Sequence, residues 1–432
     1  MKRSLPLWGR CQAPEAEGVH AIVKGVSRMR RFLLALLAAA LVLSAATPAM
    51  ARHHAPATSK ADKASAAAAQ AQPAEQAPLL RIGLTSGQPS VTVAAGGRAE
   101  ARTESAKPVA LTATASYEIR WQNGAFLVGR EKLRGEILTI RPSDKSDGGL
   151  ALDGRRYRGS LELRHRGAGL TAVNIVPVDD YLLSVVPEEM PTDWPAEALK
   201  AQSVAARSFA LKSRGRHAAE GYDLCTTTHC QLYKGIASEK TASTAAVRAT
   251  RGEVLTYGGQ PIEALFHTDS GGMTESSEDV WGSHVPYLRA VRDTPLGTMP
   301  WTKTMSTADL EQKLAAKGHN IGRLRAIELS PLAVGRAAKD RTASGRVRAM
   351  TAVGTKGRAT LTGTAWRSLL GLKSTLFDAK LTKDTVTFTG FGAGHGLGIS
   401  QWGAERMAVG GASYADILHH YYTGVTLQTD SY

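Results

Sequence analysis

From Leu79 to about Val178 the chain is written in short runs of alternating apolar and polar residues, and from Val178 onward its periodicity turns helical. Examples of the first pattern are Ser90-Val91-Thr92-Val93, Tyr117-Glu118-Ile119-Arg120-Trp121 and Leu161-Glu162-Leu163-Arg164. Successive side chains of a strand point to opposite faces, so these runs predict half-buried strands joined by turns rich in Gly and charge. Past Val178, Leu182, Val185 and Val186 stand at helical spacing, which predicts a short helix capped by Asp179 and ended by Pro187. A second helix is expected with Pro195 at its first position, running to Gly215. It gathers Ala198, Ala201 and Ala205 on one face, a pattern that asks for close packing. Strands first and helices after predict an α+β fold. Residues 296–385 read as a smaller inserted α/β lobe, with a helix near Asp309–Lys317 and strands around Val347–Val353. The chain then closes with a strand over Thr385–Thr389, a Gly-rich loop, and helices starting near Ser400 and Ser413.

The segment before Leu79 follows a different logic. Arg28-Met29-Arg30-Arg31 precedes an apolar run from Phe32 to Leu43, and Pro48-Ala49-Met50-Ala51 closes it. A positive start, a short apolar core and an Ala-x-Ala end predict a secretory signal peptide over residues 1–51, cut after Ala51. The apolar run is shorter than the ~20 residues a membrane span needs. The first 28 residues carry no export pattern of their own, so Met29 is the expected true start. Residues 52–78 are Ala/Gln/Pro-rich without large apolar side chains and read as a flexible linker. The expected product is exported, to the periplasm or cell wall, without a transmembrane anchor. Of the three cysteines, Cys11 leaves with the leader, and Cys225 and Cys230 remain in an oxidising compartment.

With 53 Lys+Arg against 38 Asp+Glu, the chain carries a formal charge of +15. Such a balance suits polyanions, nucleic acid among them. The basic residues are scattered, however, and an exported protein meets the anionic cell envelope instead, so no nucleic-acid partner is expected.

Three segments concentrate the chemistry-bearing residues. The first runs from Tyr181 through Pro187-Glu188-Glu189-Met190-Pro191 and Trp194-Pro195 to Gln202 and Arg207. The second is His267-Thr268-Asp269-Ser270-Gly271-Gly272-Met273-Thr274-Glu275, followed by Trp281. The third is Gly392-Ala393-Gly394-His395-Gly396-Leu397-Gly398-Ile399-Ser400-Gln401-Trp402-Gly403. Together they resemble the SpoIID/LytB family, whose members include sporulation lytic transglycosylases and an amidase enhancer. The resemblance runs from about Leu79 to the C-terminus.

It implies that Glu189, on the family's Glu-Met-Pro motif, is the catalytic acid of a peptidoglycan lytic transglycosylase. Such an enzyme cleaves the MurNAc–GlcNAc bond with a 1,6-anhydro product, and the implied substrate is a glycan strand lacking stem peptides. One carboxyl is enough for this chemistry, because the attacking 6-hydroxyl is already tethered to the sugar it closes on. The role requires a raised pKa in an apolar setting, which Met190, Pro191 and Trp194 are placed to supply. Glu188 is the rival carboxylate. Expected substrate-binding residues are Gln202, Arg207, Ser270, Thr274, Glu275, His395, Ser400 and Gln401. For Arg207 the alternative is a structural ion pair; for His395 it is a structural tie in a tight loop, and the same structural alternative stands for Ser270, Thr274 and Glu275. Ser400 also reads as a helix N-cap, and the alternating glycines as backbone free to approach a sugar chain. Relatives bind zinc near Asp223–Gln231, which implies Cys225, His229 and Cys230 as ligands, with His217 as a fourth. The competing expectation, slightly favoured, is a Cys225–Cys230 disulfide; any zinc would be structural, and no cofactor is required. The other functional reading is a non-catalytic glycan-binding protein that enhances a cell-wall amidase.

Overall fold

The computed structural model describes residues 77–429 apart from positions 114, 144–147, 168 and 294. The expected signal peptide and nearly all of the expected linker lie outside the described residues. The first hundred described residues form strands. A seven-stranded sheet runs, edge to edge, Leu224–Cys225, Leu79–Gln88, Gly169–Pro177, Ser160–Arg166, Ile137–Pro142, Ala99–Arg102 and Val109–Leu111. A six-stranded sheet orders Arg155–Tyr157, Leu150–Leu152, Ser90–Ala95, Ser116–Gln122, Ala125–Val128 and Glu131–Arg134. Their alternation is visible in the burial: Val91, Val93, Ile119, Leu161 and Leu163 point inward to one shared apolar core. The fold is mixed α+β.

The helix Val178–Glu189 follows directly from the strand Gly169–Pro177. Its N-cap is Pro177, and Asp179 sits in the first turn rather than at the cap. Pro187 does not end the helix: it lies in the last turn, and the helix continues to Glu189 before Met190 turns extended. A proline near a C-terminus removes one intrahelical bond, yet the Met190 N–H still reaches the Val186 carbonyl at 3.0 Å and closes the turn.

The helix Ala196–Lys212, with Pro195 as its N-cap, is buried almost all round. Ala198, Leu199, Ala206 and Ala210 belong to the core under the sheets, whereas Ala201, Val204 and Ala205 belong to a second core with Leu255, Ile399, Ile417 and Leu418. Small side chains on both sides let neighbouring elements approach it closely. Helices Gln401–Val409 and Tyr414–Tyr421 complete the second core, capped by Ser400 and by a Ser413–Asp416 capping box. A third core is built from Trp301–Phe388, with helices Thr307–Ala315 and Gly363–Leu370 against two three-stranded sheets. Among the described residues no helix is long and apolar enough to cross a membrane.

Arg207 is locked inside this assembly. Its guanidinium donates to Asp179 Oδ1 at 2.8 Å, to the Glu253 carbonyl at 3.1 Å and to the Val247 carbonyl at 3.3 Å, and its side chain has no solvent access. The expectation that it holds a substrate carboxylate is therefore corrected: it fastens the two helices and the segment beyond them. Arg207→Leu should lower stability by about 3–5 kcal/mol, because it leaves Asp179 with only the more distant Arg251 at 3.6 Å and strands two carbonyls, a loss readable as a shifted urea midpoint.

Candidate functional site

One stripe of the helix Val178–Glu189 faces the segment Gln231–Ser238, which ends in a 3-10 turn over Ile236–Ser238, and their hydrogen bonds build the site. The Tyr181 hydroxyl donates to Gln231 Oε1 at 3.2 Å, and Ser184 Oγ accepts from the Lys234 N–H at 3.0 Å. The two adjacent glutamates end this stripe in opposite circumstances. Glu188 is held by the Lys234 ammonium at 2.5 Å and the Ser238 hydroxyl at 2.6 Å. Glu189 accepts only the Leu232 N–H, at 2.9 Å on Oε1, and has no ion pair among the described residues.

That difference sets the protonation of Glu189. Its residue keeps partial access to solvent, but its carboxyl is densely surrounded by protein. Burial pushes the carboxyl up to about 7; the Leu232 N–H opposes this and the neighbouring charge of Glu188 adds to it. At neutral pH the group stands close to half protonation, suited to give a proton and take one back.

Gln401 and Gln202 reach the same helix end. Gln401 Nε2 donates to the Glu189 backbone carbonyl at 3.0 Å and lies 3.5 Å from Gln202 Oε1. Gln202 is fully buried, and its own Nε2 has no partner. Trp402, next to Gln401, meets Trp194 edge to face at 4.7 Å between ring centroids, both rings half-buried. The first and third segments are thus in contact beside Glu189. Trp402 was not among the expected site residues, although a tryptophan beside a motif Gln is a legible signal.

The other expected residues are placed elsewhere. Ser400 caps its helix by accepting the Gly403 N–H and also accepts the Ser270 N–H at 3.1 Å. Ser270 is buried, donating to Asp293 Oδ2 at 2.6 Å. Asp293 and Asp269 share the guanidinium of Arg406, at 3.1 and 3.3 Å. Thr274 is buried as well, accepting the Val291 N–H at 2.8 Å. These three hydroxyls tie loops to one another and have no spare face for a substrate, which corrects their expected role. Glu275 accepts from Thr342, Ser344 and the Ser276 N–H, at 2.6, 2.7 and 3.0 Å.

His395 accepts the Leu397 N–H on Nδ1 at 3.0 Å, so its proton sits on Nε2. Burial pushes it down to about 4, with the Arg367 charge next in effect. It is neutral at pH 7 and shares with Glu275 a small cavity that does not include Glu189. The glycines around it do not free backbone for a sugar. A Cβ on Gly394 would stand 2.6 Å from His267 Cβ, and one on Gly396 would stand 2.6 Å from Arg346 Nε. The loop is glycine-rich because it is pressed against the protein itself, with Gly392, Gly394, Gly396 and Gly398 all at positive φ.

Cys225 and Cys230 are free thiols, which corrects the favoured disulfide. Their sulfurs converge instead with His217 and His229, the four donor atoms lying within 4.8 Å of one another. Cys230 Sγ is 3.4 Å from His217 Nε2 and 3.7 Å from His229 Nδ1, and Cys225 Sγ is 3.7 Å from the same His229 Nδ1. Donors held about 2.0–2.3 Å from a tetrahedral zinc stand roughly 3.3–3.8 Å apart, so the set fits that ion. Glu220 lies 3.7 Å from His217 Nδ1, the place of an outer carboxylate that orients a ligating imidazole.

The family model described as Stage II sporulation protein matches residues 166–257, and one described as a domain of unknown function matches residues 297–398. Stage II sporulation protein D of Bacillus amyloliquefaciens is 34% identical over 289 residues, covering 60% of this chain and 77% of that protein. The Bacillus subtilis (strain 168) protein of the same name is 35% identical, covering 59% and 76%. The chain belongs to the SpoIID/LytB family. The amidase enhancer of Bacillus subtilis (strain 168) is 30% identical over 72% of this chain but spans further, since only 50% of it is covered. In this SpoIID/LytB member the matched segment 166–257 holds both glutamates and the whole His/Cys cluster.

Two outcomes follow. Because the folded Glu189 titrates near 7 and the unfolded near 4.5, its ionisation costs stability as pH rises from about 4.5 through 7. Glu189→Gln should therefore raise the melting temperature at pH 8, by at most on the order of 3 kcal/mol in stability, and leave it unchanged at pH 4. Metal analysis should find one zinc per chain, and Cys230→Ala should lose both that zinc and part of the thermal stability.

Proposed function

We propose that this chain is a peptidoglycan lytic transglycosylase with Glu189 as its single acid and base. The observation that carries the reading is the buried Glu189 carboxyl, its pKa pushed up to about 7, with one N–H and, among the described residues, no cation upon it. In its protonated form it gives its proton to the oxygen of the MurNAc–GlcNAc bond as that bond to C1 breaks. The resulting carboxylate then takes the proton of the muramic 6-hydroxyl as that oxygen closes on C1. A 1,6-anhydro end results, no water is consumed, and Glu189 regains its starting state.

Glu188 does not serve as a second carboxylate in this scheme, because Lys234 and Ser238 hold both of its oxygens. The half-buried Trp194 and Trp402 offer ring faces against which a sugar can lie. Gln401 anchors the backbone of Glu189 and so sets the direction of its carboxyl. An exported protein acting in the periplasm or cell wall accords with the N-terminal sequence pattern.

The similarity to a protein named amidase enhancer, over 72% of this chain, supports a second reading. In it the surface around Glu189, Trp194 and Trp402 binds glycan strands and presents them to an amidase without turnover.

Denuded glycan strands incubated with the protein should yield 1,6-anhydro products by mass spectrometry, and Glu189→Gln should reduce them by about 1000-fold or more. The rate should fall as pH rises above about 7, where the acid is lost. Strand binding with no anhydro product would assign the enhancer role instead. Full activity in Glu189→Gln would remove Glu189 from the mechanism. Trp402→Ala should raise KM for the strand more than it lowers kcat.

A further inference from the structure

A cavity of about 260 Å³ lies at the other end of the Glu-bearing helix, where Val178–Glu189 packs against the helix Thr241–Ala249. Asp180, on its wall, stands about 14 Å from Glu189 along the helix axis, so the cavity is separate from the site described above. Leu183 and Val247 contribute buried apolar surface to it. The charged residues around it are Arg158, Asp179, Asp180, Arg248 and Arg251. Several of these serve partners within the fold. Arg158 donates twice to Glu239, at 2.6 and 2.8 Å. Asp179 gives Oδ1 to Arg207, while its buried Oδ2 accepts no hydrogen bond and faces Arg251 Nε at 3.6 Å. Asp180 is half-buried and makes no hydrogen bond or ion pair among the described residues. Burial pushes its carboxyl up, against the pull of Arg158 and Arg251 and with the push of Glu239 and Asp179. A carboxylate withdrawn from water without a donor is costly unless something supplies one. Arg248 is exposed at the rim and likewise has no hydrogen bond or ion pair among the described residues. One unmatched carboxylate within and one unmatched guanidinium at the mouth suit a ligand that carries both signs close together.

We infer that this cavity binds the zwitterionic end of an amino acid, its ammonium on Asp180 and Asp179 Oδ2 and its carboxylate on Arg248. An ammonium has three donors and no acceptor, which matches oxygens that can only accept. A guanidinium meets a carboxylate at two points. A lone amine leaves the guanidinium unmatched, and a lone acid is repelled by Asp180, so the two charges together select the ligand. The apolar surface of Leu183 and Val247 receives its carbon chain. Two sources offer this chemistry. One is a free amino acid; the other is the diamino acid of a peptidoglycan stem peptide, whose far end carries a free ammonium and a free carboxylate on one carbon. The inference does not depend on turnover at Glu189.

Saturation-transfer NMR on the full exported chain, with L-alanine as the probe, tests it. Magnetisation should reach the alanine methyl. N-acetylalanine, which lacks the ammonium, and isopropylamine, which lacks the carboxylate, should receive about tenfold less at the same concentration. Asp180→Asn should weaken alanine binding about tenfold, because it removes the charge that meets the ammonium. Should that variant fail to fold, Arg248→Ala decides, since its side chain is exposed and its loss strands no partner. It should weaken binding about threefold or more. The tripeptide L-Ala-γ-D-Glu-meso-diaminopimelate displacing alanine at a lower concentration than alanine itself would assign the stem peptide as the source. The reverse order would assign a free amino acid. No transfer to alanine, equal transfer to isopropylamine or N-acetylalanine, or undiminished binding in Arg248→Ala overturns the inference.

Discussion

The helix Ala196–Lys212 is the constraint on which the remainder depends. It stands between two apolar cores and contributes side chains to both. Five alanines and two serines are among its buried residues, and the helices Val178–Glu189, Thr241–Ala249, Gln401–Val409 and Tyr414–Tyr421 all pack against it. One buried cation, Arg207, joins it to Asp179 at the start of the Glu-bearing helix. Gln202, one and a half turns earlier, meets Gln401 from the far end of the chain. The position of Glu189 relative to the C-terminal third is therefore inherited from the packing of this helix.

Around that frame, charge is distributed by local partnership. Two glutamates adjacent in sequence differ because one meets a lysine and a hydroxyl while the other meets a single amide. The same contrast recurs away from the helix end. Asp269 and Asp293 are satisfied by Arg406, whereas Arg346 is buried with donors to spare.

Much of the architecture was legible from periodicity alone. Strands over Ser90–Ala95, Ser116–Gln122 and Ser160–Arg166 follow from alternation, because one face of each must be buried. The caps at Ser400 and Ser413 follow from the geometry of a hydroxyl before a helix. Pro187 misled, since a proline in a last turn removes a bond that the helix end can do without. The Gly-rich loop misled for a related reason: glycine reports close approach but not to what, and here the approach is to His267 and Arg346.

The sequence by itself determined the order of strands and helices, the family, and which residues are chemically able to act. Glu189, the two cysteines and the histidines near them all stand in recognisable patterns. Only the tertiary structure decided what each is able to do. It closed Arg207, Ser270 and Thr274 into internal bonds, placed Trp402 against Trp194, and gathered His217 with three residues of a later loop. It also separated Glu188 from Glu189. The physical reason is that protonation and availability depend on burial and on partners from distant segments, such as Lys234, Leu232 and Gln401. Spacing along a chain carries no record of those meetings.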